Sequence, residues 1–354
     1  MRNTIEACRH ASERALEFLE RRQHPSGEFK MDFTFEQWVD PETGRPGGGE
    51  DQSPFSASYI VHSLSYCDHP AARRMIASAM RYFRDQELPG GMWRYWNKGT
   101  APLGDIPADL DDTACISELV ERFDSPAPDN KWLMLLNRDS ENLFYTWITP
   151  RLSGGFDRRY WSVVLRDVTF ERLVLFWRRS PATRGDVDGV VNANVAHYFG
   201  PAPESEPVVD MLLEIARNGT EASCDKWYPD VNTFYYTASR CHARGMTRLS
   251  RATAAMLSRF SQQAGADGRI GENDMLTALA ACSILNFQIQ SSLLAPAIVY
   301  LLATQQDDGG WTSRPFYTNG SRPAQTTWGS RELTTGFCLE AIERFSRGEH
   351  AAQV

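Results

Sequence analysis

The 354-residue sequence lacks the features that mark several large classes of protein. It has no run of about 18 apolar residues, so no segment is expected to span a membrane. There is no CxxC pair among the seven cysteines, no HExxH segment and no Gly-rich phosphate loop, which argues against the common zinc and nucleotide motifs. With 37 basic and 45 acidic residues the net charge is −8, which argues against a nucleic-acid surface.

The beginning of the sequence also lacks the charged-then-apolar pattern of a secretory signal. The cysteines are scattered, odd in number and mostly placed in apolar helical stretches, so we interpret them as reduced thiols. These observations predict a cytoplasmic protein without a bound metal ion. Peripheral contact with a membrane stays open, because it does not require a spanning segment.

Strand signals are scarce and helical periodicity dominates, which predicts an all-α fold. Two kinds of helix alternate along the chain. Helices with a one-sided apolar stripe are predicted over 5–22, 71–86, 207–217, 247–262 and 291–305. Helices that are small and apolar around most of their circumference are predicted to begin near Phe55, Leu110, Val187, Asn232, Asn273 and Arg331.

This alternation predicts one domain over residues 1–354, an (α/α)6 barrel of six inner and six outer helices around a central cavity. The third outer helix is the least defined and is expected within 141–177. A turn with Gly and an aromatic residue recurs where outer helices end, as in Gln86 to Trp93 and Gln306 to Trp311. Such recurrence indicates a repeated helix pair, so both tryptophans are expected to fasten outer helices and not to contact substrate.

The segment Asp109-Leu110-Asp111-Asp112-Thr113-Ala114 carries three carboxylates within four positions, directly ahead of an apolar helical run. Crowding and burial both raise carboxyl pKa values, so one of these groups could stay protonated near neutral pH, as general-acid chemistry needs. The same pattern also fits an ordinary helix N-terminus, where Asp caps free N–H groups and meets the positive end of the dipole. The residues alone leave both interpretations open.

Asp109 to Ala114 resembles the DxDDTA signature of class II terpene cyclases, which include squalene–hopene and copalyl diphosphate cyclases. Gln305 to Trp311 resembles the QW repeat of squalene–hopene and oxidosqualene cyclases. The resemblance implies that Asp111 protonates an alkene or epoxide. It also implies that Asp109 and Asp112 polarise or hydrogen-bond Asp111 and share its negative charge. A carbocation would then run along a linear prenyl chain and form rings, stabilised by aromatic faces.

The chain departs from that family in having one barrel, where squalene–hopene and diterpene class II cyclases use two and bind substrate between them. The resemblance therefore implies that long loops, a homodimer partner or a second subunit close the cavity. No redox cofactor is implied, and Mg²⁺ only if the substrate is a diphosphate. The segment Gly49-Glu50-Asp51 offers a Mg²⁺ candidate by composition alone and also fits a solvated loop.

In such a barrel the N-terminal ends of the inner helices converge on one rim, so side chains there are expected near Asp109 and Asp111. The residues predicted to bind substrate are Phe55, Tyr59, Asn192, Tyr235 and Trp328. Asp186 and Asp188 form a second acidic pair in the same relative place, either as a helix cap or as a second polar site.

Three functions compete. The first is a class II terpene cyclase acting on a prenyl diphosphate or a prenylated aromatic. The second is an enzyme of related fold, an isomerase or hydratase, that uses the same Asp acid. The third is a non-catalytic barrel that binds prenyl lipids. Crowded carboxylates beside an apolar cavity favour the enzymes over the binding barrel.

Overall fold

The computed structural model describes residues 2–349, apart from 40, 42–43, 45, 101–105, 168–173, 175, 179 and 322–324. Over these residues the chain is mostly helical and carries one small sheet. None of the helices described is both long and apolar enough to cross a bilayer.

The α-helices, in chain order, are α1 (Arg2–Arg22), α2 (Pro54–Leu64), α3 (Pro70–Gln86), α4 (Leu110–Phe123), α5 (Lys131–Leu135), α6 (Arg158–Asp167), α7 (Gly189–Phe199), α8 (Glu206–Asn218), α9 (Val231–Ala243), α10 (Thr253–Gln263), α11 (Asp274–Asn286), α12 (Leu294–Thr304) and α13 (Arg331–Ser346). The strands are β1 (Met31–Val39), β2 (Pro46–Asp51), β3 (Tyr317–Thr318) and β4 (Thr326–Gly329).

Six of these helices form a closed ring. In the order α2, α4, α7, α9, α11 and α13 each packs against the next, and α13 packs back against α2. Outside the ring, α1 packs on α13 and α3, α8 packs on α7, and α12 packs on α11 and α13. Every residue of α2 and of α11 is buried, because these helices are enclosed on all sides.

The predicted helical organisation agrees closely with these bounds. The helix α4 begins at Leu110 as expected, and α7 begins at Gly189, two residues after its predicted start. Within the range 141–177 expected to hold the third outer helix, the structure places α6, while residues 168–173 and 175 of that range lie outside the described part.

The sheet is the element that the all-α prediction missed. Its strand order is β2-β1-β4-β3 with antiparallel neighbours, so β1 pairs with a strand almost 300 residues further along the chain. Apolar and polar residues do alternate from Met31 to Glu36, which is a strand pattern. Six residues of alternation are too few to stand out in a largely helical sequence, and the partner strand is remote.

The turn after α12 fastens this outer helix to the outer helix α1. Gln305 donates from Nε2 to the carbonyls of Gly309 and Ala11, both at 2.9 Å. Gly309 has a φ of +93°, and a Cβ there would lie 2.3 Å from the carbonyl oxygen of Arg14 on α1. Glycine is therefore required for this close approach of turn and helix.

Both repeat tryptophans are fully buried and lie against the helix that precedes them. Trp93 donates from Nε1 to the Phe83 carbonyl at 2.8 Å, and Trp311 donates in the same way to Leu301 at 3.0 Å. The backbone N–H of Trp93 donates to the hydroxyl of Thr113 at 3.1 Å, which ties this turn to the first turn of α4. The turn thus holds an outer helix against the helix that carries the three carboxylates.

Candidate active site

A cavity of about 540 Å³ lies where the inner helices begin, between their N-terminal ends and the sheet. Among the described residues, eleven aromatic side chains line it: Phe33, Phe35, Phe55, Tyr95, Trp96, Trp147, Phe176, Trp227, Tyr228, Tyr317 and Trp328. Its charged lining consists of Asp51, Asp109, Asp111 and Asp112, and no Lys or Arg joins them within the described part of the chain. The cavity is therefore apolar, aromatic and acidic.

The first turn of α4 places the three carboxylates in this cavity. Asp109 has extended backbone and caps the helix, since its Oδ1 accepts the N–H of Asp112 at 2.8 Å. The N–H of Leu110 donates to the Thr146 carbonyl at 2.8 Å, which fixes the start of the helix. Asp109 is thus a helix cap and, like its neighbours, also a residue of the cavity wall, so the capping role does not exclude a role in the cavity.

Asp111 is held by hydrogen bonds at both carboxyl oxygens. Asn194 of α7 donates from Nδ2 to Oδ1 at 2.7 Å, and the Tyr228 hydroxyl donates to Oδ2 at 2.5 Å. Only 7% of Asp111 is exposed. A carboxylate that accepts two hydrogen bonds is stabilised after it loses its proton, which makes the group a stronger acid than burial alone would allow.

Burial raises the pKa of all three carboxyls, by different amounts. The pKa of Asp111 rises to about 6, because burial outweighs the hydrogen bonds from Tyr228 and Asn194. The pKa of Asp109 rises to about 8 through burial and the nearby charge of Asp111. Burial and the Asp109 charge raise the pKa of Asp112 well above its usual value, and its Oδ2 is buried without a hydrogen-bond partner. Asp111 is therefore the strongest acid of the cluster.

A buried guanidinium lies behind Asp111 and orients its amide partner. Arg240 of α9 donates from Nη1 to the Asn194 side-chain oxygen at 3.3 Å, so the Asn194 NH₂ group must face Asp111. Arg240 also lies over the rings of Tyr59 and Tyr236, 5.4 and 5.7 Å from their centroids. Its charge lowers the pKa of Asp111, against the effect of burial.

Two of the predicted substrate-binding residues line the cavity. Phe55 of α2 lies edge-on to Tyr317 with ring centroids 5.7 Å apart. Trp328 of β4 stacks on Tyr317 at 5.8 Å and donates from Nε1 to Asp51 at 2.9 Å. Trp96 donates to the same carboxylate at 2.9 Å. The Gly49-Glu50-Asp51 segment thus contributes Asp51 to the cavity, as an acceptor for two indoles.

The other three predicted residues lie outside the cavity lining. Tyr59 sits one layer below Asp111 and accepts a hydrogen bond from Asn194 at 2.9 Å. Asn192 bonds both the N–H and the carbonyl of Phe144, at 2.8 and 2.9 Å, and so anchors a loop. Tyr235 donates to Glu221 at 2.7 Å and packs against the outer helix α10, away from the cavity.

Tyr228, Trp227 and Asn194 complete the site. Sequence reasoning missed Tyr228 and Trp227, and it expected Asn194 to have a hydrogen-bond partner without placing it at the site. The backbone N–H groups of Trp227 and Tyr228 donate to Asp225 at 2.8 and 3.2 Å, and this turn presents both rings to the cavity. An Asp favours such a turn because its side chain can accept backbone N–H groups a few positions later. Nothing in the sequence indicates which helix the turn faces.

Asp186 and Asp188, the second acidic pair, support the aromatic wall of the cavity. Asp188 accepts from the Thr146 hydroxyl at 2.6 Å and from Trp227 Nε1 at 3.1 Å, and Asp186 pairs with Lys226 at 2.6 Å. Asp188 directly precedes α7, but its side chain makes no capping hydrogen bond. The pair therefore holds aromatic residues in place and is not a plain helix cap.

Solved structures of terpene cyclases are similar to this chain. A variant of the type II terpene cyclase MstE from Scytonema, bound to its substrate geranylgeranyl dihydroxybenzoate, aligns over 98% of this chain and 99% of its own, with a TM-score of 0.70 and 15% identity. Another MstE variant, bound to its product merosterolic acid A, gives a TM-score of 0.68 and 14% identity over the same shares.

The ent-copalyl diphosphate synthase from Streptomyces platensis aligns over 86% of this chain but only 53% of its own, with a TM-score of 0.55 and 16% identity. By sequence, neither a family model nor a curated protein matches the chain. At these identities the likeness shows a shared fold. This chain and MstE share the fold over almost the whole length of both chains, whereas almost half of the Streptomyces synthase lies outside its alignment with this chain.

Proposed function

We propose that this protein is a class II terpene cyclase, which protonates a linear prenyl chain and cyclises it through carbocations. One observation carries the proposal: the buried Asp111 carboxyl, held by Asn194 and Tyr228, lies in the wall of an aromatic cavity. Protonating an alkene requires a strong acid whose conjugate base is stabilised, and Asp111 has both hydrogen bonds for this. The shared fold with MstE supports the same conclusion.

In this mechanism Asp111 is the proton donor and the neighbouring carboxyls assist it. Burial favours the protonated forms of Asp112 and of Asp109, whose pKa rises to about 8, and this limits the negative charge beside Asp111. The aromatic walls stabilise each successive cation through their faces and exclude water, which would otherwise end the reaction early. Phe55 and Trp328 belong to this wall, whereas Tyr59 acts from the layer below.

The ring of inner helices with helices packed outside it supports an (α/α)6 barrel as the architecture. In a single barrel the cavity needs another cover, and the four-stranded sheet lies at the site where one is required. Phe33, Phe35 and Trp328 of the sheet line the cavity opposite the carboxylates. We infer that the sheet, and not a second barrel domain, closes much of the cavity.

Of the two substrate classes, a prenylated aromatic suits the described cavity better than a prenyl diphosphate. The described lining holds no Lys or Arg that could bind a diphosphate, and its ionisable acidic side chains are all aspartates. Asp51 instead offers hydrogen-bond acceptors to a phenolic hydroxyl. On this account the reaction needs no redox cofactor, and Mg²⁺ would matter only for a diphosphate substrate. The seven free cysteines suit a reducing, cytoplasmic location.

The proposal is tested by incubating the protein with a geranylgeranylated phenol, farnesyl and geranylgeranyl diphosphates and squalene, with and without Mg²⁺, and analysing products by mass spectrometry. We expect a cyclic isomer of the prenylated phenol from the wild type and none from Asp111→Asn. Asp274→Asn is the matched control, because Asp274 is also buried at the start of an inner helix but pairs with Arg314 at 2.9 Å. It should retain turnover.

Cyclisation by Asp111→Asn at the wild-type rate would refute the assignment of the acid. Isomers or hydrates without new rings would favour the related isomerase or hydratase. Saturable binding of the prenylated phenol without any turnover would favour the non-catalytic barrel. Elution of the protein as a dimer would separately support the expectation that a homodimer partner closes the cavity.

A further inference from the structure

A second cluster of chemically reactive side chains lies at the opposite end of the ring from the cavity. We propose that His62, Glu118 and His197 bind one divalent transition-metal ion, Zn²⁺ or a similar first-row ion, which joins three inner helices. His62 is on α2, Glu118 on α4 and His197 on α7, each in the C-terminal half of its helix. This site is separate from the proposed acid, because Glu118 lies seven residues beyond Asp111, roughly 10 Å along α4.

The geometry points to an ion because the three side chains converge and each has a buried polar atom without a hydrogen bond. One ligand atom from each side chain lies within 4.8 Å of the other two, and His197 Nε2 is 4.0 Å from Glu118 Oε1. His62 Nε2, His197 Nε2 and Glu118 Oε2 are all buried and make no hydrogen bond in the described structure. The residues are only 3, 7 and 3% exposed for His62, His197 and Glu118. Leaving three such atoms unpaired is costly.

The other nitrogen of His197 shows that Nε2 is available as a ligand. Its Nδ1 lies 3.3 Å from the Arg240 carbonyl, which can only accept, so Nδ1 carries the proton and Nε2 presents a lone pair. That lone pair faces a carboxylate, and two acceptors 4.0 Å apart need a cation or a donor between them. Two imidazoles and one carboxylate form a donor set that first-row divalent ions favour.

The protonation of the two histidines and the nearby charge of Arg240 determine how readily this cluster binds a metal ion. Arg240 Nη2 lies 3.5 Å from His62 Nδ1. If Nε2 of His62 binds an ion, Nδ1 carries the ring proton and can no longer accept from Arg240, so this long contact is lost. Burial, and then the Arg240 charge, lowers the pKa of both histidines, which keeps them neutral as metal binding requires. The negative ends of the α2 and α7 dipoles, where His62 and His197 lie, favour a cation here and oppose the repulsion from Arg240.

The ligand atoms stand slightly too far apart for direct coordination. Metal–ligand bonds of about 2.0–2.2 Å place tetrahedral ligands roughly 3.4 Å from one another. Each side chain must therefore move by less than about 1 Å, which a small change in side-chain torsion provides. A water molecule that bridges the three groups is the competing occupant, and the experiment below separates it from an ion.

The test measures metal directly on the full chain, purified without a histidine tag. After dialysis against a chelator, the protein is incubated with Zn²⁺ or Co²⁺, desalted and analysed for metal content, visible absorption and melting temperature. We expect one ion per chain, Co²⁺ ligand-field bands without the strong near-ultraviolet bands of thiolate ligation, and a higher melting temperature with Zn²⁺. Absence of thiolate bands excludes the seven cysteines as the site.

His197→Ala and Glu118→Gln should lose the bound ion and the thermal shift. His242→Ala is the matched control, because His242 also lies near the end of an inner helix, with Nδ1 3.2 Å from the Asn286 carbonyl, and should bind as the wild type does. Wild-type protein that holds no Zn²⁺ or Co²⁺ overturns the proposal, as does binding that survives in both cluster variants. The wild-type measurement decides the matter even if a variant fails to fold.

Discussion

The hydrogen bond from Tyr228 to Asp111 should set the pH at which the proposed acid works. Tyr228→Phe removes only the hydroxyl that contacts Oδ2 at 2.5 Å. A hydrogen bond to a charged group contributes about 1.5–3 kcal/mol. Since one pKa unit corresponds to about 1.4 kcal/mol, its loss should raise the pKa of Asp111 by about one to two units.

The sign of the effect follows from the need for a protonated donor. With a pKa of about 6, Asp111 loses its proton as the pH rises past 6, so kcat/KM of the wild type should fall about tenfold per pH unit above that value. In Tyr228→Phe the fall should begin between about pH 7 and 8. The plateau at low pH should be lower than in the wild type, because an acid with a higher pKa protonates an alkene more slowly.

The assay is cyclisation of the prenylated phenol, followed from pH 4 to 9 in both proteins. Tyr317→Phe is the matched control, because Tyr317 lines the same cavity but donates its hydroxyl to Tyr95 at 2.9 Å. Its pH profile should coincide with that of the wild type. A profile unchanged in Tyr228→Phe, or shifted equally in Tyr317→Phe, would refute the assignment of Asp111 as the titrating acid.

Three other predictions concern stability and product formation. The folded chain holds protons on Asp109 and Asp112 that the unfolded chain releases near pH 4. The free energy of unfolding should therefore fall as the pH rises from about 4 to about 8. Urea unfolding of Asp112→Asn should show a weaker fall with pH. Trp93→Ala should cost about 3–5 kcal/mol in urea unfolding, since it empties a fully buried site; a cost below 1 kcal/mol would contradict its fastening role. Trp328→Leu removes an aromatic face and should shift products toward partly cyclised prenyl chains by mass spectrometry; an unchanged product ratio would place the cation path elsewhere.

The sequence predicts the helical organisation well because that information is local. Asp109 and Ser330 cap inner helices by accepting an N–H three residues later, a contact that depends only on neighbouring residues. The turns with Gly and Trp are local in the same sense, so the sequence alone assigns both tryptophans to helix fastening.

The parts that could not be predicted depend on contacts between distant segments. Tyr228 reaches Asp111 across 117 positions, and Asn194 reaches it across 83. Tyr235 shows the limit for aromatic residues on a buried helix: consecutive residues point about 100° apart, so only packing decides which ring faces inward. Asn192 and Asn194, two positions apart on α7, have different roles for this reason.

The closure of the ring has a consequence for how the chain is made. The ring closes where α2 packs against α13, and the sheet pairs Asp32 with Gly329. Both contacts join segments that are synthesised far apart in time. Until α13 has been synthesised, the apolar sides of α2 and α11 have no neighbour on that side and stay open to unwanted association. Expression at low temperature or with added chaperones should therefore raise the soluble yield, and internal deletions that remove α13 should send the product to inclusion bodies.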